Sequence, residues 1–529
     1  MVASRIVVIG IDGANFSPIE RWSQEGSLPG FRHLKEHGAS GELCSTVPPI
    51  SPTAWTSIFT GTNPGKHGIF GFIKRRAHSY YPTPISSADI RAPTLWDILT
   101  ENGIKSAWVS VPFIYPPKPI YGVLTAGLGT PSRKSPFAYP PAVKTEILRK
   151  YPNFDVDFNE DEIELSRNID KSLTKISSVT EANMNLFKEL VADKSFRVVG
   201  GVFRALDVIQ HYLIDSDDLR RHYQKFDQLI RDITEEMDEN DVLIVCSDHG
   251  FRKIQKNFYI NNWLEQAGLL HFKSEPILGR LGIRAENFQK VLVKAGLKDL
   301  VWKLKRSSLV ETVLRLMPSE DFLSNIDWST TRAYYIGNDG GAIFANVKGR
   351  EPEGIVERAQ EYEELTREIA KKALEITDPL DGERVIRQAY RSCEAYVGEL
   401  DDAPDILLVE NEGYRVTGGH NRQRMLLEDV RVRPGDHSTA GVLFMLGSGI
   451  RAGHRIADAT VQDVTPTVLH LLDIPIPVHM DGKPLVSSLM NGQRTEASAS
   501  PGYPARAGHE IEVERIMRAV REIKRSGRV

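Results

Sequence analysis

Five short apolar runs punctuate the chain: RIVVIGID (5–12), SAWVSV (106–111), FRVVGGVF (196–203), DVLIVCSD (241–248) and GVLFMLG (441–447). Turn residues bound each run. Between them lie segments of helical periodicity, near 28–37, through TLWDILTENG and around 219–238. Strands that are apolar on both faces and alternate with helices belong to a sheet covered on both sides. The pattern predicts an α/β fold, a doubly wound and mostly parallel sheet with helices on both faces.

Between about 265 and 425 the pattern changes. FQKVLVKAGLKDLVWKLKR has helical spacing, AYYIGNDGGAIFANVKGR reads as a hairpin and YEELTREIAKKALEITDP as a helix. The expected organisation is a catalytic core over 1–264, an inserted α+β cap over 265–425 and the second part of the core over 426–490. A flexible linker and a terminal amphipathic helix are expected over 491–529.

Composition narrows the class. The chain has 529 residues, 41% hydrophobic and 26% charged, with a net charge of -4. That balance excludes a general attraction to nucleic acid or to an anionic membrane surface. Cys44, Cys246 and Cys393 are odd in number and widely spaced, so neither a disulfide framework nor a CxxC metal pair is expected. No apolar run reaches membrane length, and the opening RIVVIGIDG is too short for a signal peptide. The expected compartment is cytoplasmic.

In open α/β sheets, ligands bind outside the carboxyl ends of the strands. The polar residues expected there are Asp12 after the first run, Asp248 and His249 after DVLIVC, and Asp207 and His211 just after GGVF. The last two are spaced i, i+4, which puts both on one helix face. His437 stands in the turn-rich PGDHSTAG before the final run. Each alone reads as a turn residue, an N-cap or a surface pair. Six together are another matter, because buried carboxylates need compensating positive charge, which metal ions supply. Oxygen and nitrogen donors without thiolate suit zinc first, with manganese or iron as alternatives. Six such residues and a hydroxyl are enough for two divalent ions. The hydroxyl candidates stand in TVPPISPTAWTSIFTGTNPGKHGIFGF (46–72), where Ser51, Thr53 and Thr56 cluster among prolines ahead of a helix-like run. Two metals can clamp the attacking and leaving oxygens of an in-line phosphoryl displacement.

In this order the motifs resemble the alkaline phosphatase superfamily, and within it the type I phosphodiesterase/nucleotide pyrophosphatase family. That family has an Asp after the first strand and a nucleophile ahead of a TG-xx-P-xx-HG run. An Asp-x-x-x-His, an Asp-His and a late His follow. Here they correspond to Asp12, the Ser51 region with TGTNPGKHGI, Asp207 with His211, Asp248-His249 and His437. VTPTVLHLLDIPIPVHMDGKPL (464–485) is similar to the superfamily's closing helix and loop. The resemblance spans residues 5–262 and 430–487.

It implies a metal-dependent phosphohydrolase acting on a small phosphodiester or pyrophosphate through a covalent phospho-serine intermediate. Asp207, His211 and His437 would hold one ion; Asp12, Asp248, His249 and Ser51 the other. The nucleophile falls on Ser51, with Thr53 as the alternative, because Thr53 occupies the third position where the family often carries Pro. Ala54 replaces a phosphate-binding Asn of the eukaryotic-type enzymes, and Asn15 and Lys66 are candidate substitutes for that contact. Sulfatases carry an Arg where this chain has Trp55. A phosphomonoesterase, phosphonate hydrolase or phosphotransferase could use the same ligands, and a catalytically silent binding protein could keep them. His67 and Cys246 are expected to be structural, Asp436 either to orient His437 or to be a solvated turn residue, and Tyr334, Tyr335 and Asn338 to pack within the insertion.

Overall fold

The computed structural model describes residues 2–76, 78–158, 169–273, 322–337, 340–418 and 425–490. The helical stretch expected over 288–306, Asn338 and the terminal segment 491–529 lie outside the described residues.

The five apolar runs form strands of one large sheet. In chain order its main strands are β1 (Arg5–Ile11), β2 (Ala39–Cys44), β3 (Ser106–Val111), β4 (Gly122–Ala126), β5 (Ala138–Tyr139), β6 (Val198–Phe203) and β7 (Asp241–Cys246). Residues Gly250–Tyr259 (β8) and Gly435–Ser438 (β9) pair outside it, and Ala440–Gly447 (β10) returns to it. The order across the sheet is β2-β10-β7-β1-β6-β3-β4-β5, with the short pair His454–Arg455 beyond β2. β1 runs parallel to β6 and β7, and β3 parallel to β6 and β4. β10 is antiparallel to both β2 and β7. Its reversed direction was not expected from the sequence, since apolar alternation is blind to strand direction.

Side-chain alternation builds two cores. Ile6 and Val8 of β1, Val198 and Val202 of β6, and Val242 and Ile244 of β7 face one cluster. Val7, Ile9 and Ile11, then Val199 and Phe203, then Leu243 and Val245 face the other. Ser51–Thr60, Leu95–Glu101 and Val464–Leu471 cover the first face through Trp55, Trp96 and Val468. Phe16–Gln24, Pro29–His37, Ile169–Ala192 and Asp217–Glu235 cover the second through Trp22, Phe31, Phe187 and Phe226. Full burial of each such side chain contributes about 1.5–3 kcal/mol, so neither face can be left bare.

The insertion builds an apolar cluster together with Tyr80, Phe258, Ile260, Trp263 and Leu264, and a four-stranded sheet in which Ala333–Tyr335 and Ala342–Ala345 make the expected hairpin. The helix Gln360–Leu374 packs Leu365 and Ile369 into it. Tyr334 and Tyr335 are buried in this region, so packing is their role. The insertion is not hung on a simple linker. Its strand Gly413–Thr417 pairs in parallel with β8, which also takes Leu427–Asp429 and β9 as antiparallel neighbours. This small shared sheet stands beside the carboxyl edge of the large one.

Candidate active site

Strand register brings the polar ends together. Ile11 pairs with Phe203, and Gly10 with Cys246, so the residues after β1, β6 and β7 emerge at one level. Because β10 is antiparallel, its beginning lies at that same edge, and His437 on β9 arrives just before it. β2 ends there too, with Cys44 opposite Ala440, and the chain then runs to Ser51.

Ser51 begins the helix α1 (Ser51–Thr60), and all ten of its residues are buried. Pro near the first helical position and left-handed Gly61 after the last fix its limits. Ser51 Oγ lies 3.3 Å from His249 Nε2. One turn on, the Trp55 indole N–H donates to Asp12 Oδ2 at 2.9 Å. The indole lies over Gly10, where an added Cβ would stand 2.5 Å from Trp55 Cη2. Thr53 Oγ1 is buried with no hydrogen-bond partner, and Thr53 is absent from the cleft wall. His67 is bonded on both ring nitrogens, to Ser57 Oγ at 2.9 Å and from the Ile69 N–H at 3.1 Å, which makes it part of the scaffold.

Asp207 and His211 ride on the helix Ala205–Leu213 (α2) and face the same way, as their spacing requires. The donor atoms of Asp207, His211 and His437 fall within 4.8 Å of one another. A second group of that size contains Asp12, Asp207 and His249. Asp207 therefore reaches both groups, where the sequence assigned it to one. Asp248 stands beside the second group, with Oδ2 3.2 Å from His249 Nε2 and Oδ1 accepting from the Gly13 N–H at 3.3 Å.

The three histidines share one arrangement. Nδ1 of His211 faces the Gly435 carbonyl, Nδ1 of His249 that of Gly250 and Nδ1 of His437 that of Pro49, each at 3.1 Å. A carbonyl only accepts, so each Nδ1 carries a proton and each Nε2 is the nitrogen that faces inward. The Nε2 atoms of His211 and His437 face each other across 3.2 Å. That separation suits two nitrogen ligands of one ion, and equally a single proton held between the rings.

The carboxylates make the same demand. Asp12 and Asp248 are fully buried, and Asp12 Oδ1 and Asp248 Oδ2 have no hydrogen-bond partner. Burial, then the charges of Asp248 and Asp207, push Asp12 well above the ordinary carboxylate range. Asp248 rises for the same reasons, burial first and Asp207 second. For Asp207 burial also acts upward, but His211, His437 and Arg204 outweigh it and hold the carboxyl well below that range. Burial pushes His249 down to about 4, which keeps it neutral. A neutral His249, crowded acids and orphaned oxygens fit divalent cations.

A cleft of about 540 Å³ opens over Ser51, Asp207, His211 and His437. Two residues expected to contact substrate are elsewhere. Asn15 caps the helix Phe16–Gln24 through the Ser17 N–H and donates to the Phe251 carbonyl at 2.7 Å. Lys66 pairs with Asp481 at 2.6 Å, pinning the closing loop. Neither lines the cleft. Asp436 does, next to His437, with no hydrogen bond to that ring, whose Nδ1 is held by Pro49. The sequence reading missed Arg204, Arg252, Arg415 and Arg433, which line the wall. Arg204 directly follows the strand run ending at Phe203, so the rule that located Asp207 could have found it. The other three come from the small sheet and its connection, which carry no comparable periodicity.

No curated protein matches the chain. Among solved structures it resembles the alkaline phosphatase PafA, at TM-score 0.57 and 12% identity, covering 92% of this chain and 99% of that one. Phosphonoacetate hydrolase from Sinorhizobium meliloti 1021, in complex with phosphonoacetate, gives 0.51 and 13%, covering 89% and 96%. Human ectonucleotide pyrophosphatase / phosphodiesterase 5 gives 0.50 and 11%, covering 92% and 98%. These likenesses establish an alkaline phosphatase-like fold. The profile of the type I phosphodiesterase / nucleotide pyrophosphatase family matches residues 6–439, and the chain belongs to that family, as a metal-dependent phosphoester hydrolase of the alkaline phosphatase superfamily.

Proposed function

We propose that the chain cleaves a phosphodiester or pyrophosphate bond in two in-line displacements, with Ser51 as nucleophile. The observation that carries this reading is the convergence of three inward-facing Nε2 atoms and three buried carboxylates around one cleft-lining hydroxyl. Asp12, Asp248, His249 and Ser51 would hold one divalent ion, zinc by donor type, and Asp207, His211 and His437 the other. When bound, the ions acidify a hydroxyl or water and stabilise the oxygen that leaves.

Ser51 Oγ forms a bond to phosphorus, the bond to the leaving oxygen breaks and its electron pair departs with that oxygen. The Ser51 proton ends on the departing alcohol or phosphate. Water then attacks the phospho-serine ester, returning the Ser51 hydroxyl and releasing the phosphate monoester. The protein positions these steps: the start of α1 fixes Ser51, and Trp55 fixes Asp12 from the same helix. The wall of the small sheet bounds the space where the rest of the substrate lies.

Relative turnover of bis-p-nitrophenyl phosphate and p-nitrophenyl phosphate by zinc- and manganese-loaded protein tests the reading. Faster cleavage of the diester is expected. Preference for the monoester would instead make the chain a phosphomonoesterase, and no turnover with either metal would leave a binding protein.

A further inference from the structure

The insertion lines part of the cleft, through Gly337, Gly340 and Val416, and it also reaches behind Ser51. Three of the six residues from 47 to 52 are proline, so the chain leading into α1 is short of backbone donors. Its carbonyls must find partners elsewhere, because backbone groups away from water are seldom left unpaired. The Pro48 carbonyl accepts from Thr46 Oγ1 at 2.9 Å and from the Ile50 N–H at 3.0 Å. The Pro49 carbonyl takes His437 Nδ1, and the Ser45 N–H donates to the Thr439 carbonyl at 2.8 Å. Those two ties come from the core. The Val47 carbonyl is held from the insertion, by the Tyr396 hydroxyl.

Packing aims that hydroxyl. The buried Tyr396 ring lies 5.5 Å from that of Phe70, in a small apolar cluster with Ala342, Ala403 and Leu407 against which Val47 also packs. The next residues hold the chain beyond α1. The Val397 N–H donates to Asn63 Oδ1 at 3.1 Å, and the Glu399 N–H to the Gly65 carbonyl at 2.8 Å. The approach is close: Gly398 has a φ of 128°, and a Cβ there would stand 2.5 Å from the Gly65 oxygen. Residues 396–399 therefore grip the chain on both sides of α1, shortly before Ser51 and shortly after Thr60. Trp55 restrains the helix one turn beyond Ser51, and Tyr396 restrains the chain ahead of it.

We propose that Tyr396 is a positioning residue for Ser51: by holding the Val47 carbonyl, its hydroxyl sets where the first residue of α1 meets the reacting phosphoryl group. This rests on the reading of Ser51 as the nucleophile. Ser51 stands at the tip of the helix that a loosened loop would release. A misplacement of about 1 Å at a reacting atom can cost on the order of 10²-fold in rate. The insertion thus contributes to the reaction from the side of the nucleophile as well as from the cleft wall.

Tyr396→Phe keeps the ring and removes the hydroxyl. In single turnovers of bis-p-nitrophenyl phosphate, with zinc-loaded protein in excess, the limiting rate is expected to fall about tenfold. The protein concentration at half-saturation is expected to stay within about twofold, since no substrate contact is lost. Amide hydrogen exchange gives a second reading without substrate. Faster exchange is expected in a peptide covering 45–54, with β1, β6 and β7 unchanged. A hydroxyl that only docks the insertion would lower the melting temperature and leave the limiting rate at the wild-type value, and that result would overturn the proposal. Exchange that rises equally throughout the core and the insertion would overturn it too. Turnover retained by Ser51→Ala would remove the nucleophile reading and the proposal together, whereas an inactive Ser51→Ala beside a fully active Tyr396→Phe would remove the proposal alone.

Discussion

Trp55 donates its indole N–H to Asp12 Oδ2 at 2.9 Å, joining the helix that carries Ser51 to the strand end that carries a candidate ligand. One side chain thereby sets the relative position of the proposed nucleophile and a proposed ligand. Trp55→Phe keeps most of the buried ring and removes the donor. Second partners of ligand residues typically contribute 10- to 100-fold in metal affinity, so zinc binding at the Asp12 group is expected to weaken by about tenfold in a chelator competition. Unchanged affinity would make Trp55 a packing residue only.

The hydroxyls of Ser51 and Thr53 have opposite expected effects. Ser51→Ala removes the group 3.3 Å from His249 Nε2, and turnover is expected to fall by on the order of 10³ or more. Thr53→Val removes a buried hydroxyl that has no partner and keeps its shape, so stability is expected to change by less than about 1 kcal/mol, or to rise. Full activity in Ser51→Ala would move the nucleophile elsewhere.

Asp248 gives a prediction whose sign depends on metal. In metal-free protein its fully buried carboxyl is pushed up by burial and by Asp207. A raised folded-state pKa means that its contribution to stability falls as pH rises above the ordinary carboxylate value of 3.8. At neutral pH, Asp248→Asn is expected to melt at or above the wild type when both are stripped of metal, and below it when both are loaded with zinc. Differential scanning fluorimetry with and without chelator reads both comparisons. A lower midpoint for the variant in both states would count against the buried-charge argument.

His67 should tie stability to acidity. Burial pushes its pKa from the ordinary 6.5 down to about 3, so between those values the unfolded chain binds a proton that the folded chain refuses. Stability therefore rises with pH across that window and is lost on acidification, by up to ~1.4 kcal/mol per pH unit from this group. Denaturant unfolding of metal-free protein from pH 4.5 to 7 is expected to show a shallower slope in His67→Gln than in the wild type. Equal slopes would mean that another group carries the dependence.

The sequence made the sheet legible because β1, β6, β7 and β10 are apolar on both faces. It also pointed to the proposed ligands, because Asp12 and Asp248 stand at strand ends and Asp207 lies in the first turn of the helix after β6. What it hid depends on long-range pairing. The reversed β10 comes from its pairing with β2 and β7, the sharing of Asp207 from the meeting of the strand ends with His437, and the place of Arg415 in the wall from the pairing of Gly413–Thr417 with β8. The sequence also did not show that Asn15 caps a helix or that Lys66 pairs with Asp481, because both contacts depend on which neighbours the fold supplies.

Gly10 shows how little chain is needed to fix a reactive geometry. The indole of Trp55 occupies the space where any other residue would put its first side-chain carbon. A methyl group there would press on the ring that steadies Asp12, with no change in charge, no lost donor and no alteration among the ligands themselves. The chemistry at the strand tip is thus sensitive to the bulk of a residue two positions upstream that never touches substrate.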